Sequence, residues 1–177
     1  SMSEPINDTI EKTLIQENNI NALNDLHEIN SWEELDAKTP LLRGIYNYGF
    51  EKPSPIQKKA IMPIFAGKDV IAQAQSGTGK TAYFAISTLQ IVDSLKKSPQ
   101  AMIISPTREL SIQSKHVVDE LGYFFPDLKT QLLVGGTSTE EDTRMLYDTP
   151  PQIVIGCPGR IHDMIKRKKL PTKDLKL

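Results

Sequence analysis

The stretch Ala74-Gln75-Ser76-Gly77-Thr78-Gly79-Lys80-Thr81 follows a short apolar run, Val70-Ile71-Ala72, and precedes a helix-like segment reaching Leu95. Strand, glycine-rich turn, Lys-Thr and helix in that order form a cradle for phosphate groups. Gly77 and Gly79 let backbone N–H groups approach an anion, and Lys80 adds a point charge for β and γ phosphates. Thr81 offers a hydroxyl to Mg²⁺. The general pattern asks for Gly where Ala74 stands. A chance glycine-rich turn carrying a Lys would lack the strand before it and the helix after it.

From Val70 onward the pattern is regular. Strands are expected at Val70–Ala72, Ala101–Ser105, Thr130–Val134 and Ile153–Gly156, and helices at Thr81–Leu95, Arg108–Leu121, Glu140–Tyr147 and Arg160–Lys168. Such alternation predicts an α/β fold, a parallel sheet with helices on both faces. Upstream, Thr39-Pro40 opens a short helix that Gly49 closes, and Ser54-Pro55 opens another. Asp174-Leu175-Lys176-Leu177 reads as the start of a further strand. A phosphate-loop enzyme needs a carboxylate at a strand end to hold Mg²⁺ and order the attacking water. None follows the strands above, so the expectation is a fragment that stops before that strand.

The 177 residues suffice for one domain with a core. Ser1–Asn30 reads as an acidic, mobile extension, with Ser1-Met2 a cloning remnant, and the domain proper runs from Ser31 to Leu177. No apolar run approaches the roughly 18 residues of a membrane span. Cys157 is the single cysteine, which excludes an internal disulfide and fits a reducing, intracellular setting. Residues 1–36 carry nine acids and one base, whereas the rest carries 20 bases and 13 acids, a net of +7. That balance permits a polyanionic partner without requiring one.

Cations occupy unusual places. Lys80, Arg108 and Arg160 each stand where a helix starts at the carboxyl edge of the expected sheet. Helix N-termini favour anions, so a cation there fits best beside a bound anion. The alternative is an arginine that is solvated or paired with a nearby acid such as Glu109 or Asp163. With Gly135-Gly136 on the same edge, the pair Arg108 and Arg160 favours a polyphosphate backbone. Cys157 reads as a small loop residue, and Lys166-Arg167-Lys168-Lys169 as a dipole-matched helix end. Gln57 could match an adenine edge and Phe50 could stack on the base; equally, Ser54-Pro55-Ile56-Gln57 fits a capping box.

Five ordered motifs then resemble the first RecA-like domain of a DEAD-box RNA helicase. Gly49–Gln57 matches the family's Q motif, with Trp32 upstream as its isolated aromatic. Ala74–Thr81 matches motif I, where Ala is the family's usual first residue. Pro106-Thr107-Arg108-Glu109-Leu110 matches motif Ia, Gly135-Gly136 the GG motif, and Cys157-Pro158-Gly159-Arg160 motif Ib with Cys for Thr. The segments 72–81 and 41–46 resemble the translation-initiation-factor subgroup most.

The resemblance implies a RecA-like phosphate-loop domain, truncated before the DEAD strand, in an RNA-dependent ATPase and RNA helicase. It implies ATP and Mg²⁺, with Phe50, Lys52, Gln57 and Ala74, Gln75, Ser76, Gly77, Thr78, Gly79, Lys80 and Thr81 on the nucleotide. Lys80 and Thr81 take the catalytic roles present here. It implies RNA at Pro106, Thr107, Arg108, Gly135, Gly136, Pro158, Gly159 and Arg160. The implied partners are single-stranded RNA or a short duplex, a second RecA-like domain of the same protein, and scaffold proteins of a translation or mRNA-processing complex. The implied setting is cytoplasm or nucleus, and the fragment alone is expected to be inactive. Two other classes stay open on the residues: a phosphate-loop ATPase with a non-nucleic-acid substrate, and a non-enzymatic nucleotide-binding scaffold.

Overall fold

The computed structural model describes residues 31–35, 37–50 and 78–175. The N-terminal extension, Lys52, the helix expected from Ser54, Gln57, the strand expected at 70–72 and residues 74–77 lie outside them. A 3-10 turn, Trp32–Leu35, leads to α1, Thr39–Tyr48. There follow α2, Thr78–Ile91; β1, Ala101–Ile104; α3, Arg108–Leu121; β2, Thr130–Leu133; α4, Thr139–Asp148; β3, Ile153–Gly156; and α5, Pro158–Lys166.

Among the described residues three parallel strands pair in the order β1-β3-β2, with Ala101, Thr130 and Ile153 in register. Successive side chains on a strand point to opposite faces. Ala101, Ile103, Ile153 and Ile155 accordingly join Trp32, Leu41 and Ile45, the α2 residues Ala82, Ala85, Ile86 and Leu89, and Val117, Val118 and Leu121 of α3 in one core. Met102, Leu133 and Val154 face the other way, onto Leu146 of α4 and Ile161 and Met164 of α5. Helices thus cover both faces, as the strand-helix alternation predicts. α1 can lie close against the end of α3 because Gly44 has no side chain: a Cβ there would collide with the Leu121 carbonyl.

Element ends differ from expectation for local reasons. α2 begins at Thr78 and stops at Ile91, short of Leu95. Beyond it, the Gln100 side-chain oxygen accepts from the Asp93 amide at 2.7 Å, its amide nitrogen donates to the Asp93 and Lys96 carbonyls, and Asp93 caps the Leu95 amide. These bonds replace helical ones. α5 starts two residues early because Pro158 suits the first helical position, and it ends at Lys166 before Lys168 turns left-handed at φ 58°. β1 and β2 each end one residue early, and α4 gains one residue at each end. α1 takes Lys38, not Thr39, as its N-cap, and Gly49 closes it at φ 104°. Asp174 and Leu175 lie in a turn rather than a strand, with the Leu175 amide donating to the Thr172 carbonyl.

Candidate functional site

The carboxyl ends of the three strands bring three loops to one edge. Ser105 donates from its backbone to the Gly156 carbonyl and Cys157 to the Leu133 carbonyl, so the ladder extends one residue past each strand. Beyond these bonds lie Pro106-Thr107-Arg108, Gly135-Gly136 and Cys157-Pro158-Gly159-Arg160, all at the starts of helices or in the loop before one. All eight residues expected on a polyphosphate backbone therefore gather on one rim. Pro106, Thr107, Arg108, Gly135, Gly136, Pro158 and Gly159 are exposed.

α2 also opens toward this rim. The chain just past its end, at Asp93, is tied through Gln100 to the amino end of β1. A 14-residue helix is about 21 Å long, so its start lies on the carboxyl side. Thr78, Gly79, Lys80 and Thr81 make up its first turn, which contains no acid. A helix N-terminus of this composition fits a phosphate group. Among the described residues no group of three or more His, Cys, Asp or Glu side chains could hold a metal by itself. Phe50, the expected stacking surface for a base, has one ring face against Tyr48, with centroids 4.8 Å apart.

The three helix starts on the rim differ. At α3, Thr107 is the N-cap and its hydroxyl accepts from the Leu110 amide at 3.2 Å. Arg108 follows, exposed and without an ion-pair partner among the described residues, and its guanidinium lies over Gly136. Gly136 has φ 90°, a left-handed conformation that strains any residue with a side chain. A Cβ there would also meet Arg108 Nη1 at 3.4 Å. At α4, Ser138 caps the Glu141 amide, and Glu140, Glu141 and Asp142 fill the first turn, as the macrodipole favours. A backbone hydrogen bond, then the Ser138 hydroxyl and more distantly Lys169 and Arg167, hold the Glu140 carboxyl below its ordinary range.

At α5 the N-cap is Cys157, which makes no side-chain cap and sits 3.5 Å from the Ser111 hydroxyl. Arg160 turns inward. Its Nη1 donates to Asp142 Oδ2 at 2.8 Å and to Thr137 Oγ1 at 3.3 Å, and its Nη2 to the Thr137 carbonyl at 2.9 Å. The pair is nearly buried, 13% exposed for Arg160 and 8% for Asp142. Neither acid expected nearby is the partner: Asp163 pairs with Arg167 at 3.0 Å, and Glu109 is exposed. Asp142 and Thr137 are the residues that sequence reasoning missed. A signal was present, since Asp142 and Leu146 stand four apart on one helical face and both are buried. An acid on a buried face needs a partner.

A family model described as DEAD/DEAH box helicase matches residues 54–177. The chain belongs to that family. It is similar to the ATP-dependent RNA helicase eIF4A of Phaeosphaeria nodorum, 54% identical over 147 residues that cover 83% of this chain and 37% of the relative. The eIF4A of Botryotinia fuckeliana is 50% identical over 163 residues, 92% of this chain and 40% of the relative. Among solved structures, a DEAD box protein from Methanococcus jannaschii superimposes with a TM-score of 0.76 at 36% identity, covering 84% of this chain and 40% of that one. Saccharomyces cerevisiae Dbp5 bound to RNA and ADP BeF3 superimposes with a TM-score of 0.69 at 36% identity, covering 83% and 37%. The chain thus spans about two fifths of the length of these DEAD-box relatives, and its sheet and flanking helices are those of a RecA-like domain. Among the described residues no helix is long and apolar enough to cross a membrane.

Proposed function

We propose that this chain is the first RecA-like domain of an ATP-dependent RNA helicase of the eIF4A type, acting in translation initiation in the cytoplasm. The observation that carries the reading is the rim on which Arg108 lies over the left-handed Gly136, between the starts of α3 and α5. An exposed cation beside a backbone that only glycine makes so open suits a phosphate that has no base to offer. Single-stranded RNA would run along Pro106–Arg108, Gly135-Gly136 and the first turn of α5 at Pro158–Arg160, gripped through its backbone. Specificity for one RNA would then come from partners, such as scaffold proteins of a translation complex.

On the same reading the start of α2 takes ATP. Lys80 would meet the β and γ phosphates, Thr81 would hold Mg²⁺ with them, and backbone N–H groups of the 74–79 segment would cradle the phosphates. Mg²⁺ supplies charge neutralisation on the transferred phosphoryl group. Phe50, Lys52 and Gln57 take the adenine end, and the face of Phe50 away from Tyr48 is the one a base would use. Hydrolysis and strand separation belong to the whole protein, in which a second RecA-like domain closes over both ligands.

The test is the ATPase rate of the complete natural polypeptide with and without single-stranded RNA, with Lys80→Ala as the blank. Strong stimulation by RNA is expected, vanishing in the blank. A rate indifferent to RNA would leave the nucleotide site standing and overturn the RNA assignment.

A further inference from the structure

We infer that Arg160 is a positioning residue for the RNA surface rather than a ligand of RNA phosphate: locked on Asp142, its guanidinium holds the Gly135–Ser138 loop in the shape that sets Gly136 beside Arg108. This rests on the RNA reading above and narrows it.

Both terminal nitrogens of Arg160 are committed, one to Asp142 and Thr137 Oγ1, the other to the Thr137 carbonyl. The loop is held from both sides. The Thr137 hydroxyl lies 3.0 Å from the Val134 carbonyl and 3.0 Å from Asp142 Oδ2, and donates to one at a time. The Asp142 amide donates to the Ser138 carbonyl, and Gln131 of β2 donates to the Asp142 carbonyl at 2.9 Å. Asp142 therefore sits where β2, α4, α5 and the loop meet, and Arg160 is its cationic partner there. Three of its five N–H groups are bonded there, and swinging the guanidinium out to a phosphate would leave a nearly buried carboxylate unpaired, a large cost. Arg108 faces no such cost among the described residues. Gly136, with its left-handed φ, is the part of the loop that this clamp sets.

The two roles give opposite signs at Asp142. If Arg160 served phosphate, Asp142 would compete for it, and removing that carboxylate would strengthen RNA binding. If Arg160 holds the loop through Asp142, removing the carboxylate weakens binding. The experiment measures affinity for a single-stranded uridine oligonucleotide over a range of salt, using the complete natural polypeptide saturated with a non-hydrolysable ATP analogue. Asp142→Asn is expected to lower affinity about tenfold with the salt slope unchanged, because no cation at the phosphate is lost. Arg160→Lys, which keeps the charge but not the planar fork, is expected to lose a similar factor. Melting temperature and affinity for the ATP analogue report whether each variant folds, and if Asp142→Asn does not, Arg160→Lys decides alone. A gain in affinity for Asp142→Asn overturns the inference. So does an Arg160→Lys variant that binds like wild type, or an Arg160→Ala variant whose log-log salt slope flattens by about 0.7, the contribution of one phosphate on a single strand. Arg108→Glu is the control: if it binds RNA like wild type, the RNA reading itself fails and takes this inference with it.

Discussion

α3 and α5 start at the same sheet edge, each with an arginine in its first turn, and the two arginines end in opposite surroundings. Arg108 is exposed, rests over Gly136 and opens a helix whose N-cap, Thr107, accepts from the Leu110 amide. Arg160 is nearly buried, clamped between Asp142 and Thr137, in the first turn of a helix whose N-cap, Cys157, makes no side-chain cap. The same local signal, a cation where the macrodipole disfavours one, thus arises in two ways. One arginine is free to meet an anion from outside. The other is already satisfied by an anion from the fold. Between them, α4 shows the ordinary arrangement, with three acids in its first turn, and one of those acids is the anion that takes Arg160.

This contrast should separate in stability before it separates in binding. Arg160→Ala is expected to cost about 3 kcal/mol of folding stability, because it leaves Asp142 buried without its partner, whereas Arg108→Ala should stay within about 0.5 kcal/mol. Denaturant titration of both variants reads the difference, and equal losses would erase the distinction. Arg108→Glu should lower RNA affinity by about 1.5–3 kcal/mol, the worth of a hydrogen bond to a charged group, with melting unchanged. Filter binding at fixed salt measures it.

Gly136→Ala acts where the two arginines come nearest, Arg108 at Gly136 itself and Arg160 at the next residue, Thr137. It forces a side chain into a left-handed backbone and against Arg108, so about 1–2 kcal/mol of stability should go, together with RNA affinity. The smallest effect expected is at the caps. Cys157→Thr gives α5 the hydroxyl that α3 already has and should add about 1 kcal/mol, while Thr107→Ala should remove about as much from α3. Thermal melting of the two single variants would show opposite shifts. Shifts of the same sign would mean that capping does not distinguish the two helix starts.

Most of the layered fold was legible. α3 was readable end to end, because Thr107 caps it and Gly122 stops it, and β3 was readable because Ile153-Val154-Ile155 is apolar on both faces of a covered strand. The ends of α2 and α5 were less so. α2 stops early through bonds from Gln100, nine residues beyond its end, and α5 begins at a proline that equally reads as a turn. In the candidate site, the gathering of the three motifs follows from parallel strands alone, since their carboxyl ends must share an edge. The fate of Arg160 did not follow, because its partner is 18 residues away on another helix while Asp163, the nearer acid, pairs with Arg167 within α5. Local spacing finds pairs one turn apart. A pair that bridges two helices becomes visible only when the sheet order β1-β3-β2 sets α4 and α5 on one face. The buried face on which Asp142 shares a stripe with Leu146 was the one hint available from spacing.

Amide hydrogen exchange on the complete natural polypeptide with a non-hydrolysable ATP analogue, with and without single-stranded RNA, reads whether RNA lies along the carboxyl edge of this sheet. Protection is expected at Arg108, Glu109, Gly135, Gly136, Gly159 and Arg160, whose amides line the rim, and no change at Gln100, Ala101 and Gln152 on the opposite edge. Equal exchange at the rim with and without RNA would contradict that placement.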